Sequence, residues 1–177
     1  MAVAGGIRTV VVTPHQLGNY SQNRGATIRA YTARFQQELR QRNIPLRVLP
    51  GADVRIEPDI VKQLNDGQVL SLADQGRHVL LELPHELYFP LEPLLTSLDR
   101  NGYTGILSHP ERNHGILADP RILRGLVAAG CLMQLTASSL VGAFGTASAQ
   151  LSEFMLREGL VHAIATDAHG VRSRRPT

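Results

Sequence analysis

The amino-acid sequence predicts an α/β protein built on a parallel sheet that curls into a barrel-like arrangement. Three observations carry this expectation. Short apolar runs of strand length alternate with helical segments along the 177 residues. The strand runs are almost continuously apolar, as strands covered on both faces are. Nearly every run also delivers a residue with metal-binding or catalytic chemistry at its end. An open doubly wound sheet tends to gather such residues at one switch point, whereas each strand of a barrel can supply one at its C-terminal end. His15, Asp53, Glu82, His109, Asp167 and His169 are spread along the chain in the second manner.

Each element has its own justification. Residues 9–13, Thr-Val-Val-Val-Thr, form a buried-strand run, and residues 26–42 place Ile28, Tyr31, Phe35 and Leu39 at helical spacing before Asn43 ends them. Residues 46–49 give the next strand and 58–65 a short helix. A strand over 78–83 is followed by a helix over 91–100, closed by Asn101-Gly102. A strand over 104–107 precedes a helix over 120–129 ended by Gly130. Strands over 132–135 and 161–165 flank a helix over 149–158. The expectation is thus six strands alternating with five helices, with two long loops, 16–25 and 136–146, on the presumed active face.

Composition bounds the function classes. At 43% hydrophobic the chain can bury a substantial core, and its length with no internal linker predicts one domain over 1–177. No apolar run approaches membrane-spanning length and no basic-then-apolar leader opens the chain, which predicts a cytoplasmic protein without direct membrane insertion. Cys131 is the single cysteine, in an apolar strand-like context, so a disulfide framework and a thiolate cluster are not expected. The net charge is +3, but Lys62 is the only lysine and the arginines are interspersed with acids except at Arg172, Arg174 and Arg175. With aromatics at 5% there is no basic, aromatic-studded stripe of the kind nucleic acid requires.

The chemistry-bearing positions share a logic. His15 follows a strand stopped by Pro14, which leaves the imidazole at the rim, where a neutral ring nitrogen can bind a divalent metal. Asp53 follows Leu49-Pro50-Gly51, and it reads as either a metal ligand or an acceptor stabilising the turn. Arg55, two residues on, projects to the same side as an ion-pair partner or phosphate contact. Glu82 interrupts an apolar strand; a buried carboxylate needs a cation, and a metal or an arginine would serve. His109 repeats the histidine-proline rim, with Arg112 placed to present a donor fork to an oxyanion. Asp167 and His169 stand two apart at a strand end, so carboxylate and imidazole can share a metal. Mixed histidine and carboxylate donors suit Mn²⁺, Fe or Zn²⁺. Together with arginines they describe metal-assisted hydrolysis of a phosphate ester. His78, His85, His114 and His162 lack this strand-end setting and read as surface or structural.

These motifs, Thr13-Pro14-His15, Leu49-Pro50-Gly51, Glu82-Leu83-Pro84, His109-Pro110-Glu111-Arg112-Asn113, Gln134-Leu135-Thr136-Ala137-Ser138-Ser139-Leu140 and Asp167-Ala168-His169, resemble the bacterial PHP-type (polymerase and histidinol phosphatase superfamily) protein-tyrosine phosphatases. The resemblance covers essentially the whole chain. It implies a distorted TIM-like (β/α)7-type barrel with up to three divalent metals, usually manganese, and activity on phosphotyrosine proteins. The partner it implies is an autophosphorylating tyrosine kinase that regulates capsule or exopolysaccharide synthesis. By position His15, Glu82, His109, Asp167 and His169 would be metal ligands, with His169 also catalytic, while Arg112 and Arg174 would hold the phosphate. Asp53 stands where the family has glutamate. Family members open with a strand bearing two alternate histidines and continue past the Asp-Ala-His loop. The resemblance therefore implies that this chain lacks the first strand and a C-terminal segment, and binds fewer metals. Two other readings use the same residues: a catalytically degenerate PHP binding module, and a PHP phosphoesterase for a small metabolite such as histidinol phosphate. Oligomeric state is left open.

Overall fold

In the computed structural model, which describes residues 1–170, 172, 174 and 175, strands and helices alternate from end to end. The order is β1 (Thr9–Val12), β2 (His15–Gln16), α1 (Gly25–Gln41), β3 (Arg47–Pro50), β4 (Asp53–Arg55), α2 (Ile60–Asn65), β5 (His78–Glu82), α3 (Glu92–Arg100), β6 (Thr104–Ser108), α4 (His114–Ala118), α5 (Ile122–Ala128), β7 (Leu132–Thr136), α6 (Thr146–Arg157) and β8 (Ala163–Ala165). Short 3-10 turns lie at Leu72–Asp74, Pro110–Arg112 and Ala137–Ser139.

All strand pairs are parallel, in two sheets: β1 with β3, and β2-β4-β5-β6-β7-β8. The two sheets are one strand pair interrupted. Thr9 pairs with Arg47 and His15 with Asp53, both 38 residues apart, so the register survives the break. Pro14 causes it on one strand by removing a ladder donor, although its carbonyl still accepts the Asp53 N–H at 3.2 Å. Gly51 permits it on the other, because a Cβ there would lie 2.9 Å from Val11 Cγ1 and 3.3 Å from the Val12 carbonyl oxygen. The six and five elements expected from the sequence thus become eight strands and six helices among the described residues. The short strands β2 and β4 are the continuations beyond the break, and α4 is too short to show a helical period. α6 begins at Thr146, ahead of residue 149, because its first turn, Thr-Ala-Ser, carries no apolar signal even though Ser148 is buried.

Strand order follows chain order, which for right-handed crossovers keeps the helices on one side and makes the sheet curl toward a barrel. Helices α1, α3 and α5 pack on β3, β6 and β7. The core lies between these layers. Val79, Leu81, Leu107, Met133 and Leu135 from the strands meet Leu98, Leu123, Leu126 and Met155 from the helices, all fully buried. Each such side chain contributes about 1.5–3 kcal/mol by leaving water. Helix α3 shows the local cause: Pro93 fits the first turn, where no amide partner is needed, and Leu95 and Leu98 fall three apart on the buried face.

The loops at the C-terminal ends of the strands are tied down by side chains. Buried Gln16 donates to the carbonyls of Asn23 and Gln68 and accepts the Leu70 N–H at 2.8 Å, which fixes the 16–25 loop. Asn113 caps α4 by accepting the Ile116 N–H at 3.0 Å, and its amide donates to the carbonyls of Pro84 and Leu87. The loops after β5 and β6 are thereby joined.

The ends of the sheet, β1/β2 and β8, flank a cavity of about 1010 Å³ lined by β1, by Tyr31 and Phe35 of α1, and by residues 164–169. β8 pairs only with β7 among the described residues, and its Ile164 is 54% exposed. Such an apolar strand edge is a template for pairing with another chain. Ile164→Lys should therefore reduce concentration-dependent self-association of the 177-residue chain in sizing chromatography while leaving its thermal midpoint nearly unchanged. Unaltered self-association would show that this edge does not drive it.

Candidate metal centre and anion seat

Four side chains from adjacent strands meet where the sheet ends. His15 is on β2, Asp53 on β4, Glu82 closes β5, and His109 follows β6. Parallel register aligns them: His15 sits opposite Asp53, and Arg55 opposite Glu82. Residues two apart share a face, so Asp53 and Arg55 project together. His15 Nδ1 lies 3.2 Å from Glu82 Oε2 and 3.6 Å from Asp53 Oδ2. His109 Nε2 is 3.8 Å from a carboxylate oxygen of each acid. One ligand atom from each of His15, Asp53 and Glu82 falls within 4.8 Å of the others.

His109 is held in an unusual conformation to reach this point. Its φ of 36° is left-handed, a strain that non-glycine residues tolerate when their surroundings impose it. The imposing contacts are its N–H bond to the Gln134 carbonyl at 2.9 Å and the bond its own carbonyl accepts from the Arg112 N–H at 3.0 Å, against the extended preference set by the following Pro110.

Asp53 and Glu82 are 5% and 3% exposed, close together and incompletely paired. Asp53 Oδ1, Glu82 Oε2 and His15 Nδ1 are buried without a hydrogen-bond partner. Arg55 Nε stands 3.2 Å from Glu82 Oε2 without hydrogen-bond geometry. The arginine partner expected for Glu82 as an alternative to a metal is thus present, yet it leaves the carboxylate incompletely satisfied. Burial, reinforced by the neighbouring Glu82 charge, pushes Asp53 up to about 7. Burial also opposes ionisation of Glu82, but contact with His15 and the charges of His15 and Arg55 bring it below its ordinary value. The same contact raises His15 against its burial. Burial and the Arg112 charge drive His109 down to about 3, so its ring is neutral at physiological pH. Unpartnered oxygens and a neutral imidazole at this spacing fit a divalent cation that prefers mixed oxygen and nitrogen donors.

Asp167 and His169 complete the rim from the segment after β8, with the His169 ring 6.4 Å from that of His15. His169 Nδ1 is 2.9 Å from the Asp167 carbonyl oxygen, an acceptor, so Nδ1 carries the proton and Nε2 presents its lone pair. The Asp167 carboxylate, expected to face a metal, is engaged differently: its Oδ2 accepts from Arg112 Nη1 at 2.9 Å and from Arg174 Nη2. Two guanidinium groups converge on one oxygen there, which describes a seat for an oxyanion beside the carboxylate cluster.

Three neighbours were not legible as site residues. His85, read as surface or structural, stacks on His109 with ring centroids 5.5 Å apart. Tyr20 packs against His15 at 4.9 Å. Glu111 is fully buried, and its Oε1 accepts from the Thr136 N–H and the Ser139 hydroxyl. Only Glu111 had a usable signal, a charged residue between strand and helix inside a quoted motif. Cys131 is buried as expected, with its thiol pushed up to about 11, so a thiolate is not formed at neutral pH.

A parallel α/β barrel-like fold with histidine and carboxylate donors at its C-terminal rim defines the class. The chain belongs to the capsular polysaccharide synthesis CpsB/CapC family, whose sequence profile matches residues 1–177. It is 38% identical to the tyrosine-protein phosphatase YwqE of Bacillus subtilis (strain 168), covering 98% of this chain and 68% of that one. It is 30% identical to the putative tyrosine-protein phosphatase CapC of Staphylococcus aureus, over 95% of this chain and 66% of CapC. The fold superimposes with a TM-score of 0.92 on a chain from the crystal structures of YwqE and of CpsB from Streptococcus pneumoniae, described as metal-dependent tyrosine phosphatases. Identity there is 36%, over 98% of this chain and 70% of that one. The chain thus spans about two thirds of the length of these relatives.

A cation held by these donors would need the Asp53 carboxylate and a neutral His15, and both groups are raised above their ordinary values. Affinity for a divalent cation should therefore rise steeply with pH through about 7, with proton release detectable by calorimetry in buffers of different ionisation enthalpy. Affinity independent of pH between 6 and 8, on the order of one unit either side of that value, would remove Asp53 and His15 from the ligand set.

Proposed function

We propose that this protein is a metal-dependent phosphoric monoester hydrolase that removes phosphate from tyrosine in proteins. The observation that carries the reading is the juxtaposition of unpartnered His15, Asp53 and Glu82 donor atoms with the two arginines that converge on Asp167. The names of the relatives support the same chemistry. The physiological substrate in this reading is an autophosphorylating tyrosine kinase of a capsule or exopolysaccharide system, and the site of action is the cytoplasm. No helix among the described residues is long and apolar enough to cross a membrane.

The geometry and the family resemblance support the following residue roles. His15, Asp53, Glu82 and His109 would hold divalent cations, with Asp167 and His169 as further ligands once the arginines are drawn to substrate. Mn²⁺ is the cation proposed, on the family resemblance and on the carboxylate oxygens of the set, which suit it; the imidazoles would equally accept Fe or Zn²⁺. When bound, divalent cations supply polarisation of the phosphoryl oxygens and activation of water. Arg112 and Arg174 bind the non-bridging oxygens of the phosphate and orient the ester. Their planar forks act on the anion alone, since a guanidinium has no lone pair to offer a metal. His169, with its proton on Nδ1, has Nε2 available as a ligand or as a proton acceptor at the rim.

Hydrolysis of phosphotyrosine peptides should require added Mn²⁺ and disappear with chelator, whereas Cys131→Ala should leave the rate per folded molecule unchanged. Arg112→Ala should lower turnover on the order of 100-fold with metal content preserved, the scale for losing one group that stabilises transition-state charge. His109→Ala should lower both. A rate that survives chelation, or equal metal loss in the two variants, would contradict these assignments. Faster hydrolysis of histidinol phosphate than of any phosphotyrosine peptide would move the substrate to the small-metabolite class.

A further inference from the structure

Two consecutive residues of the turn after β6 grip the 136–146 segment at both ends. At the root, fully buried Glu111 accepts the Thr136 N–H at 3.2 Å and the Ser139 hydroxyl at 2.6 Å, both on Oε1. Near the tip, the Arg112 guanidinium carbon lies 4.2 Å from the centroid of the Phe144 ring, and that of Arg174 lies 5.6 Å from the same ring. Burial of the tip does not explain this placement. Val141 is 83% exposed, and Gly142, Ala143 and Gly145 around the ring are exposed as well. Phe144 alone turns inward, and what it meets is a guanidinium.

A guanidinium resting on an aromatic face keeps its N–H groups in its own plane, where they remain free to donate sideways. Arg112 does so, giving Nη1 to Asp167 at 2.9 Å. The ring therefore fixes the tilt of the fork without consuming any of its donors. A freely rotating arginine would have to be ordered by the substrate, at the expense of affinity.

We propose that Phe144 is a positioning residue for Arg112, held over the guanidinium by a segment that Glu111 anchors at its root. The inference rests on the reading above that Arg112 engages the phosphate. Phe144 acts mainly through Arg112, the nearer of the two guanidinium groups on its ring, so most of its contribution should vanish when Arg112 is absent.

The test is a double-mutant cycle on the Mn²⁺-loaded chain, using Phe144→Leu, Arg112→Ala and the double variant. It reads the dissociation constant for inorganic phosphate by calorimetry and kcat and KM for p-nitrophenyl phosphate, with thermal melts and metal analysis confirming fold and loading. Phe144→Leu should weaken phosphate binding by about threefold to tenfold, the range an exposed to partly buried cation–π contact supports. Phe144→Trp should restore it to within about twofold, since tryptophan offers the stronger face. The double variant should bind phosphate only slightly more weakly than Arg112→Ala, by less than the loss in Phe144→Leu alone, since the more distant Arg174 is the one cation left on the ring. Glu111→Gln, which keeps an acceptor at Oε1, should resemble wild type, whereas Glu111→Ala should resemble Phe144→Leu. Wild-type phosphate affinity in Phe144→Leu, or additive losses in the double variant, would overturn the proposal and leave the role of Arg112 intact. Wild-type phosphate affinity in Arg112→Ala would instead overturn the role of Arg112, and the proposal with it.

Discussion

Asp53 and Glu82 are two carboxylates buried side by side on neighbouring parallel strands, and the rest of this structure answers to that constraint. Taking one ion out of water costs several kcal/mol even after relaxation, and a second like charge beside it adds to the cost. The positive groups at hand are few. Arg55 approaches Glu82 from a partly exposed position, His15 Nδ1 lies near both acids without a hydrogen bond to either, and His109 is neutral. Burial first, and the neighbouring Glu82 charge second, push Asp53 up to about 7, so ionising both acids calls for more compensation than these groups supply. A divalent cation is the group that would supply it.

The backbone is bent to create this situation. Pro14 and Gly51 interrupt neighbouring strands at the same level, and beyond the interruption the register resumes with His15 opposite Asp53. Without the break these two side chains would still be paired, but they would continue a regular ladder instead of standing in the separate short strands that join the rim of the larger sheet. Around that rim each loop is tied to its neighbour by a buried amide or acid: Gln16 fixes the first, Asn113 joins those after β5 and β6, and Glu111 joins those after β6 and β7. Donor groups in a polar site keep their geometry only if their supports are themselves satisfied, and these three residues provide that support.

Much of this was legible in the sequence because strand periodicity, proline and glycine punctuation and misplaced charges are local signals. Glu82 inside Val-Leu-Leu-Glu-Leu is visible to anyone who asks what a buried carboxylate costs. Other features were not local. The split of the first strand at Pro14 left β2 and β4 too short to show alternation, and α4 too short to show a helical period. The engagement of Asp167 by Arg112 and Arg174 joins residues from different turns, which spacing along the chain does not reveal. His85 carried no strand-end signature, and its stacking on His109 depends on how the β5 loop folds back. Phe144 reads as one more aromatic in a glycine-bearing loop until its ring is seen against a guanidinium.

The most direct measurement is anomalous diffraction from crystals of this chain grown with Mn²⁺, recorded on both sides of the manganese absorption edge. A manganese peak bounded by the side chains of His15, Asp53, Glu82 and His109 is expected, with Arg55 displaced from Glu82 or retained only at its edge. Density showing Asp53 and Glu82 satisfied by Arg55 and a protonated His15, with manganese absent from that site at saturating concentration, would contradict it.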